Sequence, residues 1–430
     1  MTTTTTLPNI ARGEGTNPLK GLLAYGQSPW MDYVRRDLFT SGQLKKYVDN
    51  DGLRGMTSNP AIFEKAIAGS NLYADILNSP EAKKLDANGL FEKIAFRDIQ
   101  DACDIFKPVY AETNRRDGYV SLEVSPFLGY DTKASIAEAH RLWKSVSRPN
   151  VMIKIPGTPE GLPAIRQCLE DGLNINITLL FAQSAYEQVA EAFLSALEAR
   201  VKKGQDVSHI ASVASFFVSR IDTLVDSTID EKLKAGVAAG EQALLESLRG
   251  KVAIANARLT YEKYQELFGG ARWKALASKG AQTQRLLWAS TSTKDPTAPD
   301  TMYVHGLAAP FTVNTMPDDT LEAFYDHGQA LPMLAERDPG PQLWISPGDA
   351  AGRELSEGDE IRVYNRRGAF AARAHITDRI PPGVVWMRDG CVGLNQVTSG
   401  AAVLPENALG LFHFTVGQAE YEAMVEVEAA

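Results

Sequence analysis

The feature that most limits how this chain can fold is a regular alternation of short apolar runs with longer helical segments. Eight runs of the β type span residues 29–34, 53–57, 119–124, 151–155, 173–178, 210–217, 285–291 and 302–307. Between them, stretches such as 134–146, 184–203 and 256–267 show helical spacing of apolar residues. Eight such units over roughly 300 residues predict an α/β fold, a (β/α)8 TIM barrel. A doubly wound open sheet is the alternative.

The fourth run continues to residue 157 and contains a single lysine just before a Pro-Gly pair. Side chains alternate between the two faces of a strand, so Lys154 shares a face with Met152 and points into whatever that face encloses. Burial disfavours an ammonium ion and favours the neutral amine, a nucleophile suited to Schiff-base chemistry. The alternatives are an edge-strand lysine that discourages aggregation and a lysine whose stem reaches the surface.

Polar side chains with chemical ability stand at or near the ends of seven of the eight runs. They are Asp32, Thr57, Ser58, Asn59, Glu123, Lys154, Asn176, Thr178, Ser215, Arg220, Ser290 and Lys294. In a barrel, the loops after the strands build the active site. A polar residue after one strand is often only a helix cap, and residues 57–60 taken alone favour a cap. The repetition over seven runs favours a common site.

Composition narrows the class of function. The net charge of −9 argues against a nucleic-acid surface, so an anionic substrate requires specific arginines or lysines. The three cysteines, Cys103, Cys168 and Cys391, have no metal-ligand spacing and fit a reducing compartment without a disulfide framework. Residues 1–16 do not resemble a signal peptide, and no apolar stretch approaches a membrane span. We therefore expect a cytoplasmic protein without nucleic-acid, membrane or metal partners.

The character of the chain changes near residue 331. Residues 335–341 combine charges with Pro and Gly, which is typical of a linker. Beyond them, short β-type runs at 343–345, 360–364, 369–376 and 383–387 are separated by Gly-rich turns. The predicted organisation is a flexible tail over 1–18, the barrel over 19–330, a linker over 331–341 and a small β-rich module over 342–430.

Specific motifs occur in order along the barrel segment. They are WMD at 30–32, GMTSNP at 55–60, VSLEV at 120–124, VMIKIPG at 151–157, NINITLLF at 174–181, ASFFVSRID at 214–222 and LWAST at 287–291. Together they resemble the bacterial transaldolases, of the type related to transaldolase/glucose-6-phosphate isomerase fusions, over about residues 21–328.

This resemblance implies a cofactor-independent class I transaldolase of the pentose phosphate pathway. A dihydroxyacetone unit would pass from sedoheptulose 7-phosphate or fructose 6-phosphate to an aldose phosphate. By similarity, Lys154 forms the Schiff base and Asp32 exchanges the proton of the substrate hydroxyl. Glu123 and Thr178 would hold the water used in dehydration. The implied substrate contacts are Thr57, Asn59, Asn176, Ser215, Phe217, Arg220, Ser290 and Lys294.

Some assignments have open alternatives. Arg220 is the implied phosphate clamp, and a salt bridge to Asp222 is its alternative. The family usually has an arginine where Ser292 stands; Lys294 is the implied substitute, and a solvated loop lysine is its alternative. His305, in the eighth run, is expected to be a core histidine. A helix at 319–327 continues the resemblance, after which the β-rich module replaces the usual helical C-terminus.

The module carries motifs of a second family. They are ISPGDA at 345–350, EGDEIRV at 357–363, NRRG at 365–368, IPPGVV at 380–385 and GLNQVT at 393–398. They resemble part of the molybdopterin-dinucleotide-binding domain of bacterial molybdenum oxidoreductases, which implies a partial double-psi β-barrel with Asn395 and Thr398 near the pterin. The preceding strands and the iron–sulfur cysteines of those enzymes are missing, which argues against binding of molybdopterin dinucleotide. A scaffold, an interaction surface for an unknown partner, or an accidental fusion are the alternatives.

Two functions of different class therefore remain open. One is the transaldolase with an additional domain, with an aldolase that releases free dihydroxyacetone as its close variant. The other is a barrel retained as a scaffold, with the module acting as a pterin-nucleotide- or partner-binding unit.

Overall fold

The structure is a computed structural model that describes residues 17–328, 342–365, 368–387 and 426–429. The chain divides into two compact units, Met1–Gln329 and Ala330–Ala430. Most of the predicted tail and the whole predicted linker lie outside the described residues. None of the described helices combines the length and apolar character that a membrane span requires.

The first unit is the predicted barrel of eight parallel strands, which excludes the doubly wound open sheet. Strand order follows the chain, and pairing of the first strand with the eighth closes the barrel. The strands are β1 Gln27–Asp32, β2 Gly55–Thr57, β3 Tyr119–Glu123, β4 Val151–Pro156, β5 Ile175–Leu180, β6 Ser212–Phe217, β7 Arg285–Ala289 and β8 Thr312–Met316.

Helices surround the barrel and connect its strands. They are α1 Pro18–Ala24, α2 Arg36–Thr40, α3 Gln43–Asp51, α4 Pro60–Ala68, α5 Ala74–Leu77, α6 Ala87–Glu112, α7 Thr132–Val146, α8 Gly161–Asp171, α9 Gln183–Lys202, α10 Ser219–Ala235, α11 Ala239–Leu248, α12 Val252–Gly269, α13 Ala271–Ala277, α14 Met302–Gly306 and α15 Asp318–His327. Helix α1 begins inside the tail predicted over 1–18, because Asn17 Oδ1 accepts a hydrogen bond from the Leu19 amide and caps it.

Seven of the eight predicted strands are confirmed, with ends that differ by no more than two residues. The eighth prediction was wrong, since residues 302–307 form α14 and the last strand is β8, farther along the chain. A short apolar run does not distinguish a strand from a buried helical turn, and here Tyr303 and Val304 are the buried side of a single turn. His305 accordingly lies on a helix and not in a strand.

The side chains that fill the barrel interior show which way the lysine of β4 points. An apolar layer fills the barrel and includes Trp30, Met152, Val213 and Leu287. The face that Met152 shares with Lys154 is therefore the interior face, as predicted. A closed barrel has no edge strand, which excludes the edge-strand explanation for this lysine.

A buried ion pair stabilises the N-terminal end of the barrel. Arg285 lies 2.8 Å from Asp117, and the two side chains are almost entirely buried. Ser28 Oγ and Trp30 Nε1 also donate hydrogen bonds to the Asp117 carboxylate. Both oxygen atoms of this carboxylate therefore accept hydrogen bonds, which offsets the cost of burying the charge.

We expect Asp117→Ala to lower the free energy of unfolding by about 3–5 kcal/mol, because it leaves Arg285 buried without its partner. Asp101→Ala is the matched control, since Asp101 forms an exposed pair with Arg97 on α6 and should cost less than about 1 kcal/mol. Urea unfolding of each variant measures the difference. Equal losses for the two variants would contradict the structural role assigned to Asp117.

The second unit contains a five-stranded mixed sheet with the order β12-β9-β11-β10-β13. Its elements are β9 Gln342–Ile345, α16 Pro347–Ala351, β10 Glu360–Asn365, β11 Gly368–Ile376, β12 Val385–Met387 and β13 Glu426–Ala429. Leu343, Ile345, Ile361 and Val363 form its small core. The four predicted strands are confirmed, whereas β13 was not predicted. The positions matched to the pterin, 395 and 398, lie outside the described residues, and the partial double-psi barrel stays a prediction.

Candidate active site

Strand register brings several of the predicted residues together at the carboxyl end of the barrel. Asp32 on β1 lies beside Thr57 on β2, and Glu123 on β3 lies beside Lys154 on β4. Lys154 is in turn beside Asn176 on β5. The polar side chains that end neighbouring strands thus face one enclosed space.

Lys154 is buried in this space and paired with a carboxylate. Its side chain is 8% exposed, so the stem does not carry the amine to the surface. The Nζ atom lies 3.1 Å from Glu123 Oε2 and donates a longer hydrogen bond, 3.4 Å, to the Ser58 carbonyl. The arrangement places a proton acceptor directly beside a primary amine.

Asp32 is held by a chain of hydroxyl groups. Thr57 Oγ1 donates to Asp32 Oδ1 at 2.5 Å, and it lies 2.7 Å from Thr315 Oγ1. Because the single hydroxyl proton of Thr57 goes to the carboxylate, Thr315 is the donor to Thr57. Burial raises the pKa of Asp32 above its ordinary value, while Lys154, the Thr57 hydrogen bond and Arg220 act in the opposite direction.

A second polar chain crosses β3, β5 and β6 beside the lysine. Ser215 Oγ donates to Asn176 Oδ1 at 2.7 Å, and Asn176 Nδ2 donates to Ser121 Oγ at 3.0 Å. These bonds fix the orientation of the buried amide. Thr178 Oγ1, farther along β5, is buried and has no hydrogen-bond partner among the described residues. An unsatisfied buried hydroxyl is costly, so this position suits a water or substrate oxygen.

Asn59 has the structural role that its local sequence favours. Its Oδ1 accepts a hydrogen bond from the Ile62 amide at 3.0 Å and caps α4. The cap uses the carbonyl oxygen and leaves the amide Nδ2 as the remaining donor. A substrate contact by Asn59 stays a prediction.

Arg220 does not form the salt bridge considered as its alternative. The Asp222 carboxylate instead accepts hydrogen bonds from the Ala253 amide at 2.8 Å and the Tyr303 hydroxyl at 2.9 Å. The guanidinium of Arg220, in the first turn of α10, lies over the ring of Phe217 with 4.7 Å to the ring centroid. It is exposed and forms no salt bridge in the part of the chain that the structure describes, although its charge acts on Asp32 from a distance. The charge is therefore available to an anion.

The two predicted residues after β7 differ in their surroundings. Ser290 directly follows β7 and has a φ of +57°. Its Oγ lies 2.9 Å from the Oγ of Ser219, the first residue of α10. Lys294 is exposed and donates to Ser292 Oγ at 2.8 Å, within its own loop. The structure therefore joins Ser290 to the first residue of α10 but does not bring Lys294 into the hydrogen-bonded groups around Lys154.

Two residues of these hydrogen-bonded networks, Ser121 and Thr315, were not predicted to belong to the site. Ser121 alternates with Glu123 along β3, and this period of two was the available signal for an inward-facing hydroxyl. Thr315 was missed because the eighth strand was placed on residues 302–307. With β8 in its true position, Thr315 follows Val313 on the inner face by the same rule.

An eight-stranded parallel barrel with a buried lysine–carboxylate pair at the carboxyl ends of its strands is the arrangement of a (β/α)8-barrel enzyme. The family model described as Transaldolase/Fructose-6-phosphate aldolase matches residues 29–345, and the chain belongs to this family. A second model, described as Molydopterin dinucleotide binding domain, matches residues 319–408.

Curated relatives agree with this assignment. The transaldolase of Trichodesmium erythraeum (strain IMS101) is 52% identical over 313 residues, which cover 73% of this chain and 82% of the relative. The transaldolase of Acidothermus cellulolyticus is 50% identical over 313 residues, with the same coverage of 73% and 82%. That of Thiobacillus denitrificans is 44% identical over 320 residues, or 74% and 87% of the two chains. The chain is therefore an enzyme of the transaldolase class.

Proposed function

We propose that the barrel is a class I transaldolase that transfers a dihydroxyacetone unit through a Schiff base on Lys154. The donor is a ketose phosphate, sedoheptulose 7-phosphate or fructose 6-phosphate, and the acceptor is an aldose phosphate. The observation that carries the proposal is the buried amine of Lys154, which lies 3.1 Å from Glu123 near the carboxyl end of β4. The chain that contains it belongs to the transaldolase family. Transaldolases need no cofactor, and the proposed reaction uses none.

The first step forms the iminium. Glu123 takes one proton from the ammonium of Lys154, and the neutral amine attacks the ketose carbonyl carbon. The proton on Glu123 then returns to the former carbonyl oxygen, which leaves as water. Two of the three ammonium hydrogens depart in that water, and one stays on the iminium nitrogen. The Thr178 hydroxyl, which is buried without a partner among the described residues, would hold this water.

The second step breaks a carbon–carbon bond. Asp32 removes the proton from the hydroxyl on the fourth carbon, and that oxygen becomes a carbonyl as the bond between the third and fourth carbons breaks. The bond electrons form an enamine and neutralise the iminium. An acceptor aldehyde then reverses these events, with Asp32 returning its proton, and water releases the new ketose from Lys154. A carboxyl group with a raised pKa suits this exchange, because it must both accept and donate the proton.

Recognition of the phosphate would rest on Arg220. Its planar guanidinium can donate two hydrogen bonds to one phosphate group, and it packs against the Phe217 ring. In a chain with a net charge of −9, a local cation that forms no salt bridge with the described residues is what an anionic substrate requires. The oriented amide of Asn176 and the hydroxyl of Ser215 would contact the hydroxyls of the three-carbon unit. Thr57, Asn59, Ser290 and Lys294 remain proposed contacts of the substrate.

A change at Thr57 tests the assignment of Asp32 as a base. The ionised carboxylate is active during cleavage, so activity falls as the pH drops through the pKa of Asp32. Thr57→Val removes a donor to the ionised form and should move the acidic limb of kcat/KM upward by about one to two pH units. Thr57→Ser keeps the hydroxyl and should leave the limb in place. An acidic limb that does not move in Thr57→Val would contradict the role of Asp32.

Dependence on an acceptor tests the proposed transfer. With fructose 6-phosphate as donor, we expect glyceraldehyde 3-phosphate to accumulate in many turnovers only when erythrose 4-phosphate is added. Sedoheptulose 7-phosphate should form in equal amount. An aldolase would release glyceraldehyde 3-phosphate and free dihydroxyacetone without the acceptor. Multiple turnover in the absence of erythrose 4-phosphate would therefore reject the transfer in favour of the aldolase.

The match over residues 319–408 favours a second candidate function for the module alone, the binding of a pterin nucleotide. This candidate predicts a pterin that copurifies with the full chain and is detected by its fluorescence after acid extraction. Its amount should be close to one per chain, and Lys154→Met, which changes only the barrel, should leave it unchanged. Full-length protein without bound pterin, even after incubation with the nucleotide, would reject this function.

A further inference from the structure

The barrel contains a cavity at the end opposite Lys154. The cavity has a volume of about 600 Å³ and is lined by the loops that precede β3, β6, β7 and β8. Its floor includes Met152 and Val213 from the apolar layer inside the barrel. Since Met152 precedes Lys154 by two residues on β4, the cavity lies beneath the layer of side chains that carries the amine.

The charge of this cavity is opposite to that of the whole chain. Arg115, Arg116 and Arg285 line it, and none of the described lining residues is an aspartate or a glutamate. Asp117 neutralises Arg285, which leaves the charges of Arg115 and Arg116; in a chain with a net charge of −9 they are a local reversal of sign. Like charges at short range repel one another unless an anion lies between them.

Arg116 is a half-buried cation of this cavity without a salt bridge of its own among the described residues. The adjacent Asp117 is already bound to Arg285, Ser28 and Trp30, as described above. The guanidinium of Arg116 is half-buried, lies over the Phe311 ring at 4.9 Å, and makes no hydrogen bond or ion pair with other described residues. Burial lowers the pKa of Arg116 and the neighbouring Arg285 lowers it further, while the Asp117 charge and Tyr264 oppose the shift without reversing it. Its ring contact with Phe311 does not replace the hydrogen bonds that a partly desolvated guanidinium needs, and an anion in the cavity would supply them.

The walls of the cavity indicate what kind of anion it takes. A guanidinium fork matches the oxygens of a phosphate group. The volume exceeds that of inorganic phosphate, and Trp273 and Phe311 add aromatic surface on which an apolar group packs. We infer that the N-terminal end of the barrel is a second anion site, centred on Arg116, which binds a small organic phosphate monoester.

Phenyl phosphate and inorganic phosphate are suitable probes. Binding is measured by titration calorimetry in Arg220→Gln protein, so that the proposed phosphate clamp at the other end of the barrel does not contribute. Phenyl phosphate should bind more tightly than inorganic phosphate, and adding Arg116→Gln should weaken binding about tenfold or more. Adding Arg97→Gln, an exposed arginine of α6, should have no effect. Equal binding with and without Arg116, or no binding at all, would overturn the inference.

Two further measurements separate ligand binding from a structural role. Without ligand, Arg116→Gln should raise the unfolding temperature, because it removes a half-buried charge that has no salt bridge among the described residues. A structural arginine would lower it. In unaltered protein, phenyl phosphate should protect Arg116 but not Arg97 from modification by phenylglyoxal, as read by mass spectrometry. Modification of Arg116 that the ligand does not slow would also overturn the site.

Discussion

Replacing Lys154 by methionine is expected to lower turnover on the order of 10⁴-fold or more, to the background of the assay. The apolar side chain has similar length and can occupy the same buried position, but it cannot form a Schiff base. The loss should appear in kcat, because the nucleophile acts in the chemical step. Steady-state rates with fructose 6-phosphate and erythrose 4-phosphate measure it.

Lys154→Arg is the matched control for charge. It keeps a cation beside Glu123 and Asp32, yet a guanidinium is not a nucleophile at neutral pH. We expect it to be as inactive as Lys154→Met. Substantial activity in Lys154→Arg would show that this residue acts through its charge alone and would contradict the covalent mechanism.

Asp32→Asn is expected to lower kcat by about 10²- to 10⁴-fold, the usual contribution of a positioned acid or base. The amide keeps the shape of the side chain and its contact with Thr57 but cannot remove the substrate proton. Asp37→Asn is the control, since Asp37 forms a surface pair with Arg35 and should leave turnover unchanged. The same steady-state assay gives both values.

The intermediate that accumulates in Asp32→Asn tests the role of Asp32 more directly than the rate does. Iminium formation precedes the step assigned to Asp32, so borohydride should capture the whole ketose phosphate on Lys154. In the unaltered protein the captured unit should contain three carbons. A three-carbon adduct in Asp32→Asn at the unaltered rate would show that another group removes the proton.

Much of the barrel was predictable because its physical signal is repeated. Each of seven barrel strands combines β-type apolar residues with a polar side chain at its carboxyl end. Seven such strands, with helices between them, restrict the fold to a few arrangements. The eighth unit lacked this redundancy. The run around Tyr303 and Val304 is too short for periodicity to separate a helical turn from a strand, whereas β8 is rich in threonine and less apolar.

The candidate site was predictable to the extent that its residues lie on well-predicted strands. Strand alternation placed Lys154, and Glu123 was identified as the polar residue at the end of its run; their 3.1 Å contact follows from register between β3 and β4. Register is a tertiary property, so the hydroxyl chain from Thr315 through Thr57 was not visible in either local segment. Likewise, Asp222 was near Arg220 in sequence, but its partners come from distant helices.

Borohydride trapping tests the central claim most directly. The protein is incubated with fructose 6-phosphate without an acceptor, reduced with borohydride, digested and sequenced by mass spectrometry. We expect a reduced three-carbon adduct on Lys154, and no adduct in Lys154→Met protein treated in the same way. A folded, soluble sample that yields no adduct, or yields it on a different lysine, would contradict the account.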